Sequence, residues 1–221
     1  MADDKQPTPA AESEPATDTV DNTPGGFDLG TVMAQARQVI TDPGAFYRTM
    51  PRSGGFGEPL VFVVAMGAVT GAVFAALSII GLTGAGAAGL GGIVIMPIAL
   101  AIASFISAAV MFVIWKLMGS PENYQTAYRC MAYATAILPV IAVVSIIPYL
   151  GTVVRTAWGV WLVINASTEV HGLNRRTATI VFGILGILSL LMGLSGESAQ
   201  RHMQQELGER AELLEWQNGG A

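Results

Sequence analysis

Glu169 and His171 stand two residues apart, next to Asn165, Ser167 and Thr168 and just ahead of Arg175 and Arg176. A carboxylate and an imidazole this close can pass a proton. No nucleophile, second acid or metal-ligand cluster accompanies them, so the expected role is an interfacial network with the nearby arginines rather than catalysis. Arg155 is the second candidate, about one turn inside an apolar tract. An arginine at mid-membrane costs roughly 2.5–3.5 kcal/mol on insertion scales. So near the end of its tract it can lift its guanidinium to the interface; a grip on a lipid phosphate or another ligand is the alternative. Glu58 directly precedes Pro59, and its expected role is interaction with a helix N-terminus. The glycine-rich "GLTGAGAAGLGG" lacks the Lys-Ser/Thr of a phosphate loop and reads as a connector.

These residues need elements to hold them, and the composition says which. The chain has 221 residues, 52% hydrophobic and 12% charged, against about 25% charged in soluble domains. From residue 59 to 196 the only charges are Lys116, Glu122, Arg129, Arg155, Glu169, Arg175 and Arg176. So few cannot cover a surface in water, and the expected class is an all-α polytopic membrane protein. Five apolar tracts, 59–80, 93–117, 127–147, 151–170 and 178–194, predict a bundle of five transmembrane helices. The fifth is short for a bilayer that needs about 20 residues. Pro97 and Pro139 fall inside spans, where neighbouring helices can satisfy the freed carbonyls. Gly67 with Gly71, Ser104 with Ala108 and Ser189 with Gly193 mark expected close helix contacts.

Ahead of the first span, Leu29, Val32, Met33, Ala36, Val39 and Ile40 share one helical face, with Asp28 as cap and Asp42-Pro43 as stop. An amphipathic helix lying in the membrane interface is expected. Phe46 and Tyr47 are expected at headgroup depth, with Arg48 and Arg52 on anionic lipid; Trp115 and Lys116 complete the expected lipid-interface set. The chain thus divides into a disordered acidic tail (1–26), an interfacial anchor (27–58), the five-span domain (59–196) and a far-side tail (197–221) with a surface helix through Met203, Leu207, Ala211 and Leu214. Basic residues gather in alternate connections, while "GLTGAGAAGLGG" and the 148–151 turn carry none. By the positive-inside rule the N-terminus is cytoplasmic and the C-terminus exoplasmic. Cys130 stands alone with His171 and His202, so no metal or cofactor is expected. Nucleic acid is not an expected partner, because the net charge of −5 offers no basic patch.

Three segments in order, "DPGAFYRTMPRSGGFGEPLVF", "YRCMAYATAILPV" and "IPYLGTVVRTAWGVWLVINASTEVHGLNRRTA", resemble the Yip domain family, five-span proteins named for interaction with Ypt/Rab GTPases. The resemblance covers about residues 40 to 195 and is to the prokaryotic branch. Before the first span, "GGFGEP" stands where eukaryotic members have a "DLYGP"-like segment. The resemblance implies a plasma-membrane location, the bacterial inner membrane, and no established reaction. Two functions follow as expectations. The first is a non-enzymatic membrane protein that recruits partners or organises the bilayer, its partners being anionic lipids and a membrane or cytoplasmic protein, with a second copy of the chain left open. The alternative is a transporter or channel subunit, with Arg155, Asn165 and Glu169 along a polar path.

Overall fold

The computed structural model describes residues 28–83 and 86–219, so the predicted acidic tail lies outside the described residues. Among the described residues there are helices and no strands. Helix α1 (Leu29–Thr41) starts where Asp28 accepts the Gly30 and Thr31 N–H groups at 2.9 and 3.0 Å. Those two bonds hold the Asp28 carboxyl below its ordinary pKa, with the Thr31 hydroxyl contributing most. Asp42 ends α1 and caps α2 (Pro43–Thr49), which opens on Pro43, where a missing N–H costs nothing. The first long helix, α3 (Gly57–Ile79), is followed by a 3₁₀ turn at Gly86–Gly91 and by α4 (Gly92–Leu117). Helix α5 (Tyr124–Ala134) is separated from α6 (Leu138–Val144) by a 3₁₀ turn at Thr135–Ile137. Pro139 explains the break: it has no N–H to give to the preceding turn, and its ring crowds the carbonyl four residues back. Helix α7 (Leu150–Glu169) then runs antiparallel to α8 (Arg175–Gly219).

Four helical stretches are long and apolar enough to cross a membrane: Gly57–Ile79, Gly89–Leu117, Tyr124–Val144 and Arg175–Arg210. Helix α7 has 20 residues, a spanning length, but Arg155, Asn165 and its threonines make it too polar to count among them. The expected separation of a short fifth span from a surface helix is corrected by α8, one helix of 45 residues. No proline interrupts residues 175–219, and a helix of that length reaches about 68 Å against roughly 30 Å of hydrocarbon. Met203 and Leu207 are exposed on it, while the side chains of Ala211 and Leu214 lie outside the described residues.

The closest helix approach is between α3 and α4. A Cβ on Gly67 would stand 2.6 Å from Pro97 Cα, and one on Gly71 would run into the Gly92 carbonyl. Backbone contact of this kind supplies dispersion where no hydrophobic effect drives helices together. Ser104 and Ala108 are buried where α4 meets Tyr128 of α5. Gly193 of α8 meets Thr152 of α7.

Candidate functional site

The two ends of the bundle are built differently. At one end, the start of α3, the end of α4, the start of α5, the end of α7 and the start of α8 converge, with α1 and α2 folded over them. Three ion pairs among the described residues join this end. Arg129 on α5 is fully buried, donates to Glu58 at 2.6 Å, and gives a second bond to the Gly55 carbonyl at 3.3 Å. Arg52 bridges to Glu122 at 2.9 Å and reaches the Glu169 carbonyl at 3.3 Å. Arg48 pairs with the Glu169 carboxylate at 3.4 Å. The residues between α2 and α3 are thereby tied to α5 and α7.

Below the ion pairs lies a buried polar layer. The Trp115 indole N–H donates to Ser167 Oγ at 2.8 Å, and the Trp115 ring stacks on His171 with centroids 3.9 Å apart. Ser120 Oγ accepts the Glu122 N–H and shares a second hydrogen bond with His171 Nδ1, 2.7 Å away. His171 Nε2 is buried without a hydrogen-bond partner. Burial, and then the charges of Arg52 and Lys116, push the imidazole pKa down to about 4. At neutral pH His171 is therefore uncharged. Asn165 donates to the Trp161 carbonyl of its own helix and lies beside Gly44 of α2.

Several expected positions are corrected here. Phe46 and Tyr47, expected at headgroup depth, are 6% and 1% exposed. Phe46 meets the Tyr133 ring at 4.9 Å, and the Tyr47 hydroxyl donates to the Cys130 carbonyl, where burial raises its pKa well above the ordinary value. Trp115, also expected at the lipid interface, is completely buried. The physical reason is common to all three. A large ring gains as much from a protein interior as from the interface, and the polar tips of Tyr47 and Trp115 find acceptors there. Within α1, Val32, Ala36 and Val39 are buried against the 135–137 turn and α5, while Leu29 and Met33 stay exposed. Arg48 and Arg52 remain half exposed despite their pairs. Lys116 is exposed too, and its amine donates to the Ser120 and Pro121 carbonyls of the loop that follows α4. Glu58, expected to serve its own helix N-terminus, is in addition the counter-ion of Arg129. That pairing was readable only as a hint, two opposite charges flanking separate apolar tracts on the same predicted side.

At the opposite end the α3–α4 pair and the α7–α8 pair diverge around a cleft of about 860 Å³. Glu197 of α8 accepts from the Tyr149 N–H at 2.8 Å, the Thr152 hydroxyl at 2.7 Å and Arg201 at 2.8 Å. This clamp holds Tyr149 in a left-handed conformation, φ 64°, which is rare for an aromatic residue. Arg201 also lies 5.4 Å from the Tyr149 ring centre. Sequence reasoning missed the clamp because no spacing rule links residues 149 and 197. Arg155 lines the cleft, but Asn165 and Glu169 do not; they belong to the opposite end. The polar residues of α7 therefore do not share one cavity among the described residues, which is the feature a transport path would need.

An all-helical chain with four helices able to cross a bilayer is a multi-pass membrane protein. It belongs to the Yip1 family: a family model described as the Yip1 domain matches residues 37–196. Neither a curated protein nor a solved structure matches the chain.

Proposed function

We propose that the chain is a non-enzymatic scaffold of the bacterial inner membrane, crossing it five times and using its cytoplasmic end to recruit a protein partner. Helix α7 is the added crossing. Its last turn lies with Trp115 and Arg52 at one end of the bundle, and Thr152 in its first turn lies with Glu197 at the other. Five crossings put the C-terminus outside and the basic end inside, in line with the positive-inside rule. The carrying observation is the way α1 and α2 are locked to the bundle by Arg48–Glu169, Arg52–Glu122 and the buried Phe46 and Tyr47. The lock turns an anchor into a fixed surface, on which Arg37, Arg175 and Arg176 stand exposed. Leu29 and Met33, also exposed, enter the headgroup layer beside it.

Two measurements test this in cells. A topology reporter fused after Ala221 is expected to be active only outside the cytoplasm; activity inside would refute the odd number of crossings. A photo-crosslinking residue at Arg37 or Arg176 is expected to capture a discrete protein, and the same residue at Gln204 is not. Equal capture from both ends, or none from the basic end, would refute recruitment through that surface.

A further inference from the structure

Arg155 makes no hydrogen bond or ion pair among the described residues, yet it lines the wall of a large cleft between helices able to span a bilayer. Every other arginine or glutamate on that wall is paired, since Arg201 is held by Glu197. The cleft therefore keeps one uncompensated positive charge. Its surface is also zoned. Leu100 lines it on α4 and Leu138 and Ile141 line it on α6, while Gln200, Arg201 and Gln204 line it on the part of α8 that runs out of the apolar stretch. At about 860 Å³ it lies toward the upper end of the usual range for ligand sites, roughly 300–1,000 Å³.

From this charge complementarity we propose that the cleft is a binding site for a phospholipid with an anionic headgroup, its phosphate held by Arg155 and its acyl chains laid along the apolar wall. A guanidinium matches a phosphate with two parallel N–H bonds. The bilayer supplies the ligand at the mouth, and burying the chains gives the apolar wall its cover. A soluble anion would meet the same guanidinium but would leave that wall uncovered. The proposal stands independently of partner recruitment at the other end.

The test uses the purified full chain in detergent, with native mass spectrometry after addition of phosphatidylglycerol or of phosphatidylcholine with the same acyl chains. Phosphatidylglycerol is expected to be retained preferentially. Arg155→Gln is expected to weaken that retention about tenfold, the worth of one charge-assisted hydrogen bond. Because Arg155 bonds to nothing among the described residues, the variant should keep the wild-type helical content and thermal midpoint. Arg175→Gln, an equal loss of charge at the opposite end, should leave retention unchanged. Equal retention of the two lipids, or no effect of Arg155→Gln, would overturn the proposal. Displacement of the lipid by inorganic phosphate alone would also overturn it, by showing a site for soluble anions.

Discussion

Glu58→Gln tests the energetics of the packed end most directly. Arg129 is completely buried, and its guanidinium has two partners, Glu58 at 2.6 Å and the Gly55 carbonyl at 3.3 Å, while its Nε has none. Removing one partner of a buried pair leaves a desolvated charge, at a cost of about 3–5 kcal/mol. The Glu58 side chain is 53% exposed, so water can replace part of what the carboxylate supplied. The expected loss is therefore smaller, about 2 kcal/mol, close to the value of a hydrogen bond to a charged group. Glu58 also sits in the first turn of α3 and contributes there through the helix dipole, about 0.3–1 kcal/mol. A double-mutant cycle with Arg129→Met separates the two effects, because the dipole contribution survives in the methionine background and the ion pair does not. Unfolding by dodecyl sulfate in mixed micelles, followed by tryptophan fluorescence, gives the four free energies. A coupling of about 2 kcal/mol is expected, with Glu58→Gln costing only the dipole contribution, about 0.3–1 kcal/mol, once Arg129 is gone. Coupling below about 0.5 kcal/mol, the ordinary error of additivity, would refute the claim that Glu58 is what keeps Arg129 tolerable in the core.

Three further outcomes follow from the same structure. His171 is held neutral with its pKa near 4, below its ordinary 6.5. Between those values the unfolded chain binds more protons than the folded one, so stability should be full above pH 6.5 and fall as pH drops toward 4, by up to about 3 kcal/mol. Thermal midpoints measured from pH 7 to 4.5 should show this slope in the wild type and a flatter one in His171→Gln; parallel slopes would exclude His171 as its source. Gly71→Ala should destabilise by about 1–3 kcal/mol, because the added carbon meets the Gly92 backbone, which cannot swing aside. Gly183→Ala, in the interior of α8 with nothing within 4 Å, should instead be neutral or stabilise by up to about 1 kcal/mol in the same unfolding assay.

What the sequence made legible were features with a local or one-dimensional cause. The apolar tracts are long because the bilayer is thick, and the stop at Asp42-Pro43 comes from backbone chemistry. Gly67 and Gly71 signal close approach through their size alone. What the sequence did not make legible were the features whose cause is a distant partner. Phe46, Tyr47 and Trp115 have the composition of interface residues, and only the position of Tyr133, Cys130 and Ser167 decides that they are interior. The same holds for α1, whose apolar face at Val32, Ala36 and Val39 finds the protein rather than the lipid. In each case periodicity identifies an apolar phase on one side of the helix without saying which apolar phase it is.

That ambiguity matters most for α7, the helix whose polarity argues against a crossing and whose position argues for one. A helix surrounded by lipid must be apolar all round, because every unpaired polar group there costs several kcal/mol. Ser167 and Asn165 escape that requirement by being buried in protein, with the Trp115 indole on Ser167 and the Trp161 carbonyl on Asn165. Thr152 escapes it through Glu197, and Thr156 through the Thr152 carbonyl. Among the described residues, Arg155 at the cleft and the buried Trp158 indole N–H are left without such a partner. The polar residues that lower the hydropathy of α7 are therefore almost all accounted for by bonds within the bundle, and they carry no evidence against a crossing. Low hydropathy is what a spanning helix acquires when it exchanges lipid contact for contact with its neighbours. Arg155 is the charged residue of α7 that made no such exchange among the described residues, and it is left to meet something the protein does not itself provide.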